Sequence, residues 1–136
     1  MRVVAFAPAL IATEDQGGGL SAAGFPMTQC YVDVFPAEIT ISMVLAVCGL
    51  EGEEYDPIRY IIVKGPDGER ASAMQFGWHW EDNPETPVKF RVFVQQLPIR
   101  VESEGIYNLG LYRDLAATQH EQTFPLQVGL SPNARR

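Results

Sequence analysis

The stretch ITISMVLAV, residues 39–47, decides the fold class. Its bulky apolar side chains occupy every second position, and smaller or more polar residues stand between them. Successive side chains of a β-strand point to opposite faces of a sheet, so this alternation is typical of a strand with one buried face. The side chains predicted to be buried are Ile39, Ile41, Met43, Leu45 and Val47.

The same two-residue period recurs along the chain between short turns. The stretch GPDG at 65–68 favours a hairpin turn, because proline fixes φ and Asp-Gly closes the turn. Helical periodicity is missing from the sequence, and 12 glycines and 10 prolines punctuate it. We expect strands at residues 2–7, 20–34 (interrupted near Pro26), 39–47, 58–64, 71–80, 88–95, 106–112 and 123–130.

These strands predict an all-β protein. The expected architecture is an antiparallel β-sandwich of about eight strands, immunoglobulin-like or C2-like in outline. A closed barrel is the alternative that the pattern leaves open. Residues 1–130 are expected to form a single domain, followed by a polar tail at 131–136.

Charge and composition exclude several classes of partner. The chain has 10 Lys+Arg and 17 Asp+Glu residues, and its formal charge of -7 predicts no nucleic-acid partner and no anionic membrane partner. The N-terminal run MRVVAFAPALIATED has one basic residue and is interrupted by Pro8, so we expect a first strand rather than a leader, and a cytoplasmic protein. Cys30 and Cys48 lack the spacing of a disulfide scaffold or a zinc site.

The stretch FGWHWED, residues 76–82, holds both tryptophans. Alternation places Trp78 and Trp80 on one face of a strand and His79 on the other. We expect Trp78 to be a structural core residue, because large aromatic side chains dominate protein cores. The alternative is that the two tryptophans form an exposed stacking platform for a carbohydrate.

A second aromatic stretch, ESEGIYNLGLYRD at 102–114, carries a Gly-x-Tyr step. The step resembles the tyrosine corner of β-sandwiches, which implies that the Tyr107 hydroxyl bonds to nearby backbone. The Asp and Cys that accompany the corner in immunoglobulin domains are absent, so a true immunoglobulin domain is not implied.

Three stretches together carry a wider resemblance: DQGGGLSAAGF at 15–25, GPDG at 65–68 and GIYNLGLY at 105–112. With them, most of the chain resembles a family of small uncharacterised bacterial proteins. The resemblance implies a β-sandwich and carries over no catalytic residue.

No catalytic or cofactor-binding motif stands out. His79 and His120 are the two histidines, and neither lies in a metal-binding spacing such as HExxH. Ser72, a histidine and an acid could be combined into a triad on paper, but no nucleophile elbow surrounds the serine. The glycines at 17–19 precede a strand and not a helix, so they do not form a phosphate-binding loop. We expect no enzyme and no cofactor.

Acidic residues concentrate in three loops. If each turn reverses the chain, these loops emerge at one end of the sandwich and bring together 9 of the 17 acids. Clustered carboxylates can hold Ca²⁺, although a solvated acidic end is the interpretation that we prefer. The Ca²⁺ candidates are Asp15, Glu51, Glu53, Asp56, Glu81 and Asp82.

The preferred function is a non-enzymatic protein-interaction or assembly module with a protein partner or self-association. Phe93 and Tyr112 are expected on solvent-facing sides of their strands, and exposed apolar residues mark interfaces. The alternative is a ligand-binding module, with a carbohydrate on Trp78 and Trp80 or Ca²⁺ at the acidic end. A small hydrolase is the third hypothesis.

Overall fold

The computed structural model of the protein describes residues 1–16, 18–50, 55–81 and 84–132. In these ranges the protein is all-β, with ten strands and no helix. The strands are β1 (Arg2–Ala9), β2 (Ile11–Glu14), β3 (Leu20–Ala23), β4 (Gln29–Val32), β5 (Ala37–Leu50), β6 (Ile58–Lys64), β7 (Arg70–Gly77), β8 (Val88–Val101), β9 (Gly105–Tyr112) and β10 (His120–Leu130).

The expected count of about eight strands is wrong for two local reasons. β2 has no counterpart in the sequence-based prediction, because its four residues are too few to show a clear alternation. The stretch 20–34, expected to be one interrupted strand, forms the separate strands β3 and β4.

A three-stranded sheet has the order β1-β5-β8, and both of its pairings are antiparallel. β5 lies in the centre and pairs with β8 along its whole length, from Ala37 opposite Val101 to Leu50 opposite Val88. The alternation predicted for 39–47 is confirmed at four of its five core positions, because β5 turns one row of side chains into the core, whereas Ile39 is only partly buried. The fully buried members of this row are Ile41, Met43, Leu45 and Val47.

A five-stranded sheet has the order β4-β10-β9-β6-β7. Its pairings are antiparallel except for the pairing of β4 with β10, which is parallel. The expectation of a wholly antiparallel structure is therefore wrong at this edge. Parallel neighbours require a long connection, and here β5 to β9 lie between the two strands in the chain.

The two sheets contribute to one hydrophobic core. Aliphatic side chains from β5 and β8 meet aliphatic and aromatic side chains from β6, β9 and β10. The largest fully buried members are Met43, Leu45, Ile61, Leu97, Ile99, Leu109, Leu111 and Leu126.

The hairpin of β2 and β3 forms a third, two-stranded sheet that packs on the outer face of the three-stranded sheet. Ala12 of β2 packs with Ala9 and Val44, and Leu20 and Val94 lie against this small cluster. The hairpin therefore covers one end of that outer face.

The inner and outer faces of β8 are the reverse of the prediction. The alternation of Phe90 with Val92 and Val94 predicts a core position for Phe90, but this residue is 67% exposed. β8 continues through Pro98, and the odd-numbered apolar residues of its second half determine which side faces inward. A shift of one residue turns every side chain of a strand to the other face. The residues that β8 buries are Phe93, Leu97, Ile99 and Val101.

The start of the expected polar tail is attached to β4. The Ser131 N–H donates to the Val32 carbonyl oxygen at 2.8 Å, and Ser131 Oγ donates to Asp33 at 2.7 Å. Residues 133–136 lie outside the described ranges. The division into a domain at 1–130 and a tail at 131–136 stays a prediction.

Candidate functional site

An apolar patch occupies the uncovered part of the outer face of the three-stranded sheet. Three cross-strand pairs of β5 and β8 form it, with Leu50 opposite Val88, Cys48 opposite Phe90, and Ala46 opposite Val92. Side chains of directly opposite residues lie side by side on one face. We call the six residues Ala46, Cys48, Leu50, Val88, Phe90 and Val92 the outer apolar patch.

The ring of Phe90 is the most exposed part of the outer apolar patch, and Leu50 and Val88 are exposed as well. The β2–β3 hairpin covers the neighbouring pair Val44 and Val94, so exposure begins where the hairpin stops. A depression of ≈ 410 Å³ adjoins the patch. Its lining residues are Met1, Arg2, Cys48, Gly49, Leu50 and Val88.

The free edge of β8 runs beside the outer apolar patch, because β8 is the last strand of its sheet. The Val94 N–H points to this edge and donates to Glu14 Oε1 at 3.2 Å. Residues of one parity in a strand turn their N–H and C=O groups to the same edge, so Phe90 and Val92 also point there. In the described part of the chain, the N–H groups of Phe90 and Val92 have no hydrogen-bond partner at this edge.

The far end of the same edge is closed. Pro98 has no N–H to offer, and its carbonyl oxygen accepts a hydrogen bond of 2.7 Å from Ser72 Oγ of β7. The sequence predicts that this proline interrupts the strand pairing at a bulge or an edge. Pro98 does lie in an edge strand, but the pairing is not interrupted, since Pro98 stands opposite Thr40. Hydrogen bonds therefore cover this edge at Val94 and Pro98. The β2–β3 turn, with Glu14 and Asp15, borders the same edge across a depression of ≈ 430 Å³ that Phe90 and Val92 also line.

Cationic side chains lie on the inner side of β8 between Val88 and Val92. Lys89 is only 7% exposed, and its Nζ lies 5.1 Å from the Tyr55 ring and 5.6 Å from the Trp80 ring. The Arg91 guanidinium lies 5.7 Å from the Phe93 ring, while the residue remains exposed. Aromatic faces attract cations, so these rings hold the two positive charges at the edge of the core.

A depression of ≈ 590 Å³ separates this segment of β8 from the chain that follows β7. On one side of it stand His79, Trp80 and Glu81, and on the other Lys89 and Arg91. Among these side chains Lys89 and Arg91 are cationic and Glu81 is anionic.

Phe93, expected to be an exposed interface residue, is buried. It is 9% exposed and belongs to the core, where its ring packs against the rings of Phe76 and Trp78. The error has the same origin as the reversed face of β8. The exposed aromatic residue of this strand is Phe90 and not Phe93.

Tyr112, the second interface candidate, does lie opposite the core face of β9, but it is 8% exposed. Its ring covers Gly110, where an added Cβ would come within 2.3 Å of the ring. The ring also has Lys64 Nζ at 5.5 Å and the His120 ring at 6.4 Å. Because Gly110 has no side chain, the sheet surface has room for the Tyr112 ring, and the tyrosine is buried without a partner protein.

Trp78 and Trp80 lie inside the protein, at 7% and 5% exposure, and both belong to the core cluster. Their ring centroids are 5.9 Å apart with the planes inclined by 72°. A carbohydrate platform needs exposed ring faces, and these rings do not offer them. Trp78 Nε1 is buried without a hydrogen-bond partner among the described residues.

The acidic Ca²⁺ candidates are not brought together in the described part of the chain. Asp56 lies 2.8 Å from His79, Asp15 accepts a hydrogen bond from Ser21, and Glu81 is exposed. No group of three or more His, Cys, Asp or Glu residues with metal-binding geometry occurs among these residues. The other three candidates, Glu51, Glu53 and Asp82, lie outside the described ranges.

The histidines and cysteines show no assembled catalytic centre among the described residues. His79 forms an imidazole–carboxylate pair with Asp56, but the Ser72 hydroxyl is bonded to the Pro98 carbonyl instead of to a histidine. Cys30 and Cys48 are free thiols. Burial raises the pKa of the Cys30 thiol, which disfavours the reactive thiolate.

Comparison with known proteins adds no relative. No protein-family model, no curated protein and no solved structure matches this chain. The family resemblance of the three turn and strand stretches therefore stays a prediction. No helix in the described ranges is long and apolar enough to cross a membrane.

Proposed function

We propose that the protein is a non-enzymatic protein-interaction module that binds another protein through the outer apolar patch. The observation that carries this proposal is the exposure of Phe90, Leu50 and Val88 side by side on a regular sheet face. A contiguous exposed apolar surface marks an interaction site, whereas single exposed apolar residues need no explanation.

The surroundings of the patch support this function. Phenylalanine is enriched in protein interfaces, and Phe90 is the most exposed residue of the patch. Burying apolar surface contributes about 25 cal/mol per Å², so a partner that covers the patch gains most from Phe90. The core behind β5 and β8 supports this sheet face, so the surface is pre-formed for binding.

The proposal extends to the architecture and location. We propose that the two large sheets pack as a β-sandwich with an immunoglobulin-like outline, within the family of small bacterial proteins that the sequence resembles. Their shared core supports the sandwich. We also propose a cytoplasmic location, with which the free thiols of Cys30 and Cys48 are consistent.

The test compares two variants in which aspartate replaces an exposed aromatic residue. Phe90→Asp changes the outer apolar patch, and Tyr31→Asp changes an exposed aromatic residue on β4, in the other sheet. A partner is identified by cross-linking to the wild-type chain in its native host and is then purified. Titration calorimetry with that partner should show at least tenfold weaker binding for Phe90→Asp and unchanged binding for Tyr31→Asp.

Two results would contradict the proposal. One is equal affinity of the purified partner for wild type and for the double variant Phe90→Asp/Leu50→Asp. The other is concentration-dependent self-association of the wild type that Phe90→Asp abolishes, because the patch would then serve assembly with a second copy.

A further inference from the structure

We infer that the outer face of the five-stranded sheet holds a second binding site, beside Tyr31, that takes a neutral oligosaccharide of β-linked hexopyranose units. This site and the outer apolar patch belong to different sheets. Sugar binding here is therefore a further activity, independent of the proposed function.

The site lies where β4 and β10 pair in parallel. Gln29 stands opposite Gln127, and Tyr31 stands opposite Gly129. Val128, between Gln127 and Gly129, is buried in the core. Successive side chains of a strand point to opposite faces of a sheet, so the two glutamines and the tyrosine share the outer face.

A depression of ≈ 650 Å³ lies at these residues, within the range of about 300–1,000 Å³ that is usual for small-molecule sites. Tyr31 lines it and is 52% exposed, and Gly129 beside it has no side chain to fill the space. On the same sheet face the Tyr112 ring lies buried over Gly110. Tyr31, in contrast, keeps an aromatic surface open to a ligand.

Polar groups that suit sugar hydroxyls surround this aromatic surface. The Tyr31 hydroxyl and the carboxamides of Gln29 and Gln127 have no hydrogen-bond partner among the residues that the structure describes. Each carboxamide has two donor hydrogens and an acceptor oxygen, and the hydroxyl both donates and accepts. Neighbouring sugar hydroxyls also donate and accept, so the three groups match them in either role.

The combination of one ring with flanking carboxamides also indicates the shape of the sugar. In a β-linked glucose unit all substituents are equatorial, so both faces of the sugar ring present only C–H groups. The electron-rich face of an aromatic ring attracts such weakly positive hydrogens. The hydroxyls at the rim of the sugar then point along the sheet towards Gln29, which lies two residues, about 6–7 Å, from Tyr31 in the strand.

Two other classes of ligand fit less well. An acidic sugar would find no lysine or arginine in the described lining of the depression, and the net charge of -7 repels anions. Glu104 is the charged residue of this lining, and it takes part in an interaction of its own. Proline-rich peptides dock into grooves lined by aromatic side chains, whereas Tyr31 is the single aromatic residue in the described lining.

The experiment titrates cellohexaose, a neutral chain of β-linked glucose units, into the full-length ¹⁵N-labelled protein. One control ligand is the same chain with a carboxylate in place of every hydroxymethyl group, and another is hexaproline. We expect saturable binding of cellohexaose alone, with shifts of the side-chain amide signals of Gln29 and Gln127.

Substitutions separate the ring from the polar groups. Tyr31→Ala removes the aromatic surface and should weaken cellohexaose binding at least tenfold, whereas Tyr31→Phe keeps the ring and should retain most of the affinity. Gln127→Ala should bind more weakly than wild type. Gln75→Ala is its matched control, because Gln75 is an exposed glutamine on β7 of the same sheet, and it should bind as wild type does. Circular dichroism checks that each variant is folded.

The outcomes also distinguish this site from the outer apolar patch. Tyr31→Asp should lose cellohexaose binding and keep partner binding, and Phe90→Asp should do the reverse. The inference is wrong if wild type does not bind cellohexaose up to about 1 mM, a dissociation constant at the weak end of the usual range. It is also wrong if Tyr31→Ala binds as tightly as wild type, if the shifts lie away from Gln29 and Gln127, or if either control ligand binds equally well. None of these results would change the test of the proposed function.

Discussion

The ring of Phe93 packs against the ring of Trp78, with their centroids 5.0 Å apart and their planes inclined by 53°. This contact joins β8 of one sheet to the segment that follows β7 of the other. It places both residues in the core and removes Phe93 from any interaction surface.

The Phe93→Ala substitution should therefore destabilise the protein without affecting partner binding. Deleting a large buried aromatic side chain costs about 3–5 kcal/mol, and the same range is expected for Trp78→Ala. Urea unfolding measures this loss, with Phe90→Ala as the matched surface variant of the same strand. An unfolding free energy of Phe93→Ala within about 1 kcal/mol of wild type would contradict the core assignment.

Tyr107 has the backbone partner that a tyrosine corner requires. Its hydroxyl donates to the Ser103 carbonyl oxygen at 2.7 Å, and the residue is buried. Tyr107→Phe removes this bond and the longer one, 3.4 Å, that the Ser103 N–H donates to the hydroxyl, and it should cost about 1 kcal/mol, the typical net contribution of a hydrogen bond. Thermal and urea unfolding should show no such loss for Tyr31→Phe, whose ring is exposed. If Tyr107→Phe is as stable as wild type, Tyr107 contributes to stability through packing only.

Gly105 precedes the corner and cannot be replaced without strain. Its φ is +146°, and an added Cβ would lie 2.5 Å from Pro66 Cγ. We expect Gly105→Ala to cost about 2–6 kcal/mol, because backbone strain and overpacking each contribute about 1–3 kcal/mol. Gly68→Ala is the control, since Gly68 has a φ of +85° but open space around it, and it should show the strain alone. Equal losses in the two variants would remove the clash with Pro66 from the explanation.

The sequence was sufficient to predict a strand where the residues of one face alternate strictly, and β5 is the clearest case. β8 shows the limit of that reasoning. Its first half has apolar residues on both faces, and the more regular row, which includes Phe90, lies on the outer face. The side of β8 that faces the core is determined by Leu97 and Ile99 further along the strand, and by the aromatic rings that accommodate Lys89 beside the core.

The candidate site could not be predicted for a related reason. Exposure of the patch depends on where the β2–β3 hairpin lies, and the hairpin covers Val94 but not Phe90. The burial of Tyr112 depends in the same way on Gly110 beneath its ring. Both exposures depend on three-dimensional packing, which the alternation of residues along one strand does not reveal.

Asp114 provides a pH-dependent contribution to stability. The hydrogen bond from the Thr118 hydroxyl, 2.6 Å long, lowers the pKa of the Asp114 carboxyl, with further lowering by the backbone N–H groups of Thr118 and Gln119. Because the folded pKa lies below the unfolded one, the contribution is complete above the unfolded value of about 4. It is lost as the pH falls through the folded pKa.

The test compares Asp114→Asn with wild type by urea unfolding from neutral to strongly acidic pH. Wild type should be the more stable near neutrality, and the difference should shrink below about pH 4. Thr118→Val, which removes the hydroxyl donor, should reduce the pH dependence of that difference. A difference that stays constant across this range would contradict the assignment of the effect to the carboxylate.

The last prediction concerns the ion pair of Arg59 and Glu121 at the end of the core. Arg59 is 3% exposed, its Nε donates to Glu121 Oε1, and its Nη1 donates to the Ile58 carbonyl oxygen at 2.9 Å. Taking a partner from a buried charge costs about 3–5 kcal/mol, whereas replacing both charges by apolar side chains is often close to neutral. We therefore expect Glu121→Ala to lose about 3 kcal/mol of unfolding free energy and Arg59→Met/Glu121→Leu to lose clearly less.

The exposed pair of Arg100 Nε and Glu102 Oε1, 2.8 Å apart, is the control for this prediction, and Glu102→Ala should cost about 0–1 kcal/mol. Urea unfolding measures the free energy of unfolding of wild type and of these variants. If the double variant is as unstable as Glu121→Ala, the loss comes from packing and not from the buried charge.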